Sequence, residues 1–427
     1  MKKTTIVLLA LLLCGPAHAG YSIHQVSRND AATVTDATSR YYAVHAACRP
    51  NTTEINEQVT FRTGNGTADK AGIYIEQNDV GSASTCALRV NAASSSLSIS
   101  ITANTTGLFE NTSSSATITA NDEINWIVTV PAVGGTHTID PRLLFFRFLA
   151  ASNTYQRLVA EGDASPYGTT VANMINIGGY LIGGSTEANA QYKTYTAGTM
   201  QKGFAYLSAN TRDSATTIRS RINGSNGTLA ISITASTSGV FEDIVNSDTI
   251  ASTDLVNLNI TGAVGIGSGT FEIVSYELVT TNNKSFLQQT YSEGNFASSA
   301  SQTSYLSFHG EYSVFGGTEA QVQHKQRFTG VVSNLQFYAA VNAMTTNGSF
   351  TLRKNTADTA LTLAITALTT GRFEDAVNTV TVAVDDLLNF KLISGATAGV
   401  SPSMWGAMME DTTGGATFRN LALLGVG

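Results

Sequence analysis

Two polar motifs recur at fixed spacing in this sequence. An Arg-x-Asn places Arg89, Arg221 and Arg353 in step, with Asn91, Asn223 and Asn355 two residues on. A Phe-Glu pair follows as Phe109-Glu110, Phe241-Glu242 and Phe373-Glu374. The spacing is 132 residues throughout. A guanidinium offers a planar fork of donors suited to a carboxylate. Three such arginines with acidic partners could therefore form three equivalent polar binding sites. The alternative is structural: an ion pair from each Arg to Glu110, Glu242 or Glu374, and an Asn capping a turn, would brace each copy alike. Duplication preserves folding determinants first, and the structural reading is preferred. Asn125, Asn257 and Asn389 also recur. They lie between apolar strand positions and so face the other side, toward a loop or an interface.

Nothing else in the chain has the spacing of a reactive site. His24, His45, His137, His309 and His324 do not recur between copies and show no metal-ligand spacing. The run Gly262-Ala-Val-Gly265-Ile-Gly267-Ser-Gly269 occurs once and leads into a strand, so it reads as a hairpin loop rather than a phosphate cradle. No nucleophile elbow and no recurring acidic pair is present. The expectation is a protein that is not an enzyme and needs no cofactor or metal.

The elements that must position these residues are strands. The blocks 88–128, 220–260 and 352–392 align without a gap, a strong sign of tandem duplication. Leu97, Ile99 and Ile101 alternate with Ser, as Leu229, Ile231, Ile233 and Leu361, Leu363, Ile365 alternate with polar or small residues. This period of two buries one face of a strand. Gly107, Gly239 and Gly371 allow turns with positive φ, and Asp122, Asp254 and Asp386 mark the next turns. A Thr-Glu segment opens each copy as Thr53-Glu54, Thr186-Glu187 and Thr318-Glu319, and a further apolar strand closes it at 143–149, 270–279 and 403–409. The reading is all-β, with three tandem jelly-roll-like antiparallel β-sandwich domains: residues 20–152, 153–284 and 285–427.

Residues 1–19 have a basic start, an apolar run and an Ala17-His18-Ala19 cleavage site, so they read as a secretory signal peptide. The expected location is exported: extracellular, cell surface or periplasm. No later segment is apolar enough to span a membrane as a helix. The chain carries a formal −7, which becomes −9 once Lys2 and Lys3 are removed. That argues against nucleic acid, which needs a basic footprint. Cys48 and Cys86 both fall in the first copy, and an exported pair suggests one disulfide contributing about 3–4 kcal/mol. Ile218 and Phe350 stand at the position of Cys86, so a core site is expected there.

A strand ending in Arg353-Lys354-Asn355, a hydroxyl-rich strand, Thr381-Val382-Ala383-Val384, the turn at Asp386-Leu387 and a closing Trp405-Gly406 strand together resemble the C1q/TNF-like jelly roll. The resemblance covers the second half of each copy and is best over Gly348 to Met409. It implies a jelly roll and threefold packing, here as a pseudo-trimer within one polypeptide. That family usually carries one such domain per chain, and no ligand-site residue transfers. The expected function is a non-enzymatic surface or extracellular binding and adhesion protein, with a glycan, a surface protein or copies of itself as partner. The alternative is a structural subunit of a fibre, coat or appendage, with the apolar tail Leu421-Ala-Leu-Leu424 as its suspect contact.

Overall fold

The computed structural model describes residues 20–27, 33–44, 51–57, 59–61, 65–150, 155–161, 166–167, 173–175, 186–262, 265–280, 284–290, 299–308, 313–315 and 318–412. Strands dominate them. Helical structure among them is confined to single turns at Glu54–Glu57, Glu187–Ala190 and Glu319–Val322, each just after the threonine of a Thr-Glu segment.

Eight strands frame the first repeat, with short strands Val34–Thr35 and Val59–Phe61 pairing alongside: β1 (Gly20–Ser27), β2 (Ser39–Tyr42), β3 (Gly66–Asn78), β4 (Ser84–Val90), β5 (Ala93–Ile101), β6 (Gly107–Ile118), β7 (Asp122–Thr129) and β8 (Thr138–Ala150). They form two antiparallel sheets, β1-β8-β3-β6 and β2-β7-β4-β5. This is the order obtained when one long hairpin, folded between β4 and β5, is rolled up: β4 pairs β5, β3 pairs β6, β2 pairs β7 and β1 pairs β8. The same order recurs in two sheets drawn from 155–280 and two drawn from 284–411. Among the described residues, no sheet takes a strand from another repeat.

Local chemistry explains the elements. In β5, Leu97, Ile99 and Ile101 are buried while Ser98 and Ser100 face outward, as their alternation requires. Gly107, Gly239 and Gly371 open their strands at φ 106°, 111° and 107°, a region closed to other residues. The third strand of each repeat bulges at Lys70, Lys202 and Asn334, where φ is 49°, 52° and 52° and the pairing register shifts. Trp126 and Phe146 pack edge-to-face across the first sandwich, ring centroids 5.8 Å apart.

The apolar cores do not stop at the repeat boundaries. The cluster of the first repeat takes in Phe204 and Ile273 of the second. That of the second takes in Met404 and Met408 of the third. That of the third takes in Leu143 and Phe145 of the first. The contacts thus run in a cycle. Leu143, Ile273 and Met404 hold one register position, each opposite a tyrosine of the third strand: Tyr74, Tyr206 and Tyr338.

Next to that position the three repeats differ. The first has Phe145 facing Gly72, and a Cβ on Gly72 would lie 2.3 Å from the Phe145 ring. The second has Ser275 facing Phe204, and the third Gly406 facing Gln336. The large side chain comes from opposite strands in the first two repeats, so the contacts between repeats are similar but not interchangeable.

Candidate functional site

The repeated arginines stand on the outer face of the sheet that holds β4. Arg353 donates from Nε and Nη2 to the two carboxylate oxygens of Glu319, at 2.8 and 2.9 Å. Arg221 grips Glu187 in the same way at 2.7 and 2.8 Å, and Arg89 grips Glu54. The remaining donors are used locally. Nη1 reaches Ser94, Asn226 or Asp358, and Nη2 also meets the carbonyl of Ala92, Gly224 or Thr356. The carboxylates of Glu187 and Glu319 raise the pKa of Arg221 and Arg353 above the ordinary guanidinium value. Arg89 and Arg353 also lie over the rings of Tyr41 and Tyr305, both at 5.8 Å.

The expected partners Glu110, Glu242 and Glu374 are corrected by this geometry. They lie on the other sheet of each sandwich, whose outward face points away from the arginines. The glutamates that do pair come from the Thr-Glu segments, which fold as the helical turns laid over the arginine sheet. Glu319→Ala should remove about 1–2 kcal/mol of stability by leaving a half-buried guanidinium fork without its acceptor. Urea denaturation beside Arg353→Ala and the double variant checks it; additive losses would dissolve the pair.

Asn91, Asn223 and Asn355 sit in the left-handed region at φ 50°, 50° and 51°. Each donates from Nδ2 to Asp122, Asp254 or Asp386 at 2.7–2.8 Å and accepts from the backbone N–H of Glu123, Leu255 or Leu387. The aspartates accept in turn from the N–H of Thr119, Ala251 and Ala383, all at 2.7 Å. These bonds hold the Asp122 and Asp386 carboxyls below the usual range, against the opposing pull of desolvation. Asn125, Asn257 and Asn389 are buried, in register with Arg89, Arg221 and Arg353 and so on the arginine side.

Glu110 and Glu374 face neighbouring repeats instead. Lys325 of the third repeat reaches Glu110 of the first at 3.0 Å, and Arg327 pairs with the same carboxylate. Lys193 of the second reaches Glu374 of the third at 2.8 Å. Arg372 of the third donates to the Gln191 carbonyl of the second at 2.8 Å. The register places Thr60 of the first repeat where Lys193 and Lys325 stand in the other two. The seam between third and first repeats also buries His324, edge-on to Phe145 at 5.9 Å.

A second repeated constellation escaped the sequence reading. Asn78, Asn210 and Asn342 end the third strand of each repeat, 132 residues apart. Nδ2 of Asn342 donates to the carbonyls of Thr366 and Thr369 at 2.8 and 2.7 Å, and its Oδ1 accepts from the N–H of Met344 at 3.1 Å. Asn78 ties Thr102 and Thr105 likewise, and Asn210 ties Thr234 and Thr237. The staple fixes a six-residue loop that recurs as TANTTG, TASTSG and TALTTG at 102–107, 234–239 and 366–371. It lies at the far end of β5, and of its counterparts, from the arginine clip, about 27 Å away by strand rise. Its signal was present in the sequence as an isolated Asn in step with the repeat.

Cys86 is a fully buried free thiol, and burial pushes its pKa well above the ordinary value. Cys48, its expected disulfide partner, lies outside the described residues, as do residues 1–19, expected to be a signal peptide, and the tail 421–424. In the glycine-rich run, Asp213 Oδ1 accepts from the N–H of Ile266 at 2.9 Å, tying the loop between strands Leu255–Gly262 and Gly269–Thr280. Among the described residues no three His, Cys, Asp or Glu side chains are grouped to hold a metal ion, and no helix is long and apolar enough to cross a membrane. Arg89, Arg221 and Arg353 are thus committed to clips, and Asp122, Asp254 and Asp386 to turns, while the stapled loops are a repeated feature exposed to solvent. No protein-family model matches the chain, and no curated protein matches it.

Proposed function

We propose that the chain is an exported, non-enzymatic binding and adhesion protein whose three sandwiches close into a C1q/TNF-like pseudo-trimer within one polypeptide. The observation that carries this reading is the cyclic seating of Leu143, Ile273 and Met404, each in the core cluster of the next repeat around the ring. A string of independent domains has no use for such cross-packing, whereas a ring needs one seam per neighbour. The rolled-hairpin strand order supports the family resemblance. The unequal pairs Phe145/Gly72, Ser275/Phe204 and Gly406/Gln336 support an intramolecular ring, since identical chains would need identical pairs. A rigid ring carries three copies of the stapled loop in one arrangement, which suits multivalent contact with a surface.

Light scattering and small-angle X-ray scattering on residues 20–427 test the ring. The expected result is a monomer mass and a radius of gyration of about 22 Å, the value for one compact body of this length. A much larger radius would mean strung-out domains and overturn the ring. A mass rising with concentration would favour the structural-subunit alternative.

A further inference from the structure

The stapled loop of the third repeat differs from its sisters in one respect that folding does not explain. Asn104 and Ser236 occupy the left-handed position of the first two loops, at φ 51° and 52°. The third repeat has Leu368 there, at φ 56° and 70% exposed. A short polar side chain tolerates that backbone region; a bulky aliphatic one is disfavoured in it. Leu368 neither fills the core nor relaxes its backbone, so the chain keeps a strained residue pointing at water. Strain held this way clusters at ligand-contacting positions.

The surroundings of Leu368 are of one chemical kind. Its N–H bonds the Met344 carbonyl at 3.1 Å, which sets it beside the 341–347 segment. There Val341 is 56% exposed, where the register puts Gln77 and Ala209 in the other repeats. Thr345, Thr346, Asn347, Thr369 and Thr370 are exposed around them. The segments described at this end, 342–348, 365–371 and 393–400 with 299–302 bonded to Ser394 and Gly395, contain no Asp, Glu, Lys, Arg or His. The matching ends of the first and second repeats carry Asp79 and Asp213.

We propose that this end of the third repeat binds a neutral glycan, with Leu368 and Val341 against the apolar C–H face of a sugar ring and the threonine hydroxyls and Asn347 amide bonded to its hydroxyl groups. An uncharged, hydroxyl-rich surface with a small apolar floor complements an uncharged polyol. It offers an anionic glycan no cation and a basic peptide no carboxylate. The loop is already fixed by Asn342, so little ordering is required on binding. The proposal rests on the binding reading above and names its site and ligand class.

The test is an array of neutral and anionic glycans probed with the full mature chain, followed by titration of a neutral hit at low and high salt. Binding of a neutral glycan with no marked salt dependence is expected, because no charged group of the protein takes part. Leu368→Asn places the first repeat's residue at the same φ, so it should leave the melting temperature unchanged or raised while weakening binding about tenfold. Absence of any neutral hit, binding to anionic glycans alone, or undiminished affinity in Leu368→Asn overturns the proposal. So does retention of a protein partner at this end with no glycan bound. If the chain still adheres to cells after such a result, the wider binding reading survives; if it adheres to nothing, that reading falls as well.

Discussion

Phe145→Ala should cost about 3–5 kcal/mol and open the seam between the first and third repeats. Phe145 is fully buried, belongs to the third repeat's core cluster, and has the Arg327 guanidinium over its ring at 5.4 Å. Its removal leaves a cavity over Gly72, which has no side chain to fill it, and uncovers Arg327. Leu143, Tyr74 and the ion pairs of Glu110 would remain at that junction, without the large ring that fills it. The check is urea denaturation together with small-angle scattering below the unfolding transition. Phe350→Ala is the control. Phe350 is equally buried but packs inside the third repeat, 5.2 Å from Phe337 and 5.0 Å from Phe390. It should destabilise comparably without prior expansion. An unexpanded Phe145→Ala protein losing less than about 1 kcal/mol would show that the seam is not a packing junction.

Acid should weaken the same seam through His324. Burial among Phe145 and Phe308 lowers its pKa from 6.5 to about 4, with the Gln326 side chain opposing the shift. The charges nearby do not offer an imidazolium a vacant partner: Glu110 is engaged by Lys325 and Arg327, and Asp385 by the same two cations. A histidine whose folded pKa is depressed favours the fold fully above its unfolded value. As pH falls below 6.5 the unfolded chain takes up the proton first, and stability drops until about pH 4, where the folded form also protonates. The loss attributable to this one group is about 3 kcal/mol. His324→Phe should remove that share and leave only the slope from carboxylates. Tyr192 and Val59 hold the matching positions in the other repeats, so an uncharged residue fits the site's role. Denaturation midpoints measured from pH 7.5 down to about 4 decide it. Identical pH slopes for the two proteins would mean that His324 is not the titrating group.

Much of the sandwich was legible before any coordinates. The alternation of Leu97, Ile99 and Ile101, the glycine at 107 and its copies, and the Asp at 122 and its copies each act within a few residues of chain. Local rules therefore sufficed to place strands and turns and to give an all-β sandwich. The clip was legible only in kind. The repeat points to an Arg–Glu pair but carries two recurring glutamates, and the one nearer in the chain, Glu110 with its copies, is not the partner. Arg89 and Glu110 lie on different sheets facing opposite ways, whereas Glu54 is brought over Arg89 by the turn at Glu54–Glu57. Chain distance carries no information about which face of a sandwich a residue occupies.

The duplication, the strand and turn sites, the acidic uncharged-rich surface and the buried position of Cys86 follow from the sequence alone, because each depends on residue type and short-range spacing. Tertiary structure alone decided the rest: that Asn125, Asn257 and Asn389 are buried on the arginine side, that three cores interlock in a cycle, and that Asn342 staples a loop carrying Leu368 at positive φ. Those depend on register, on sheet faces and on contacts between segments more than a hundred residues apart, which the folded packing alone brings together.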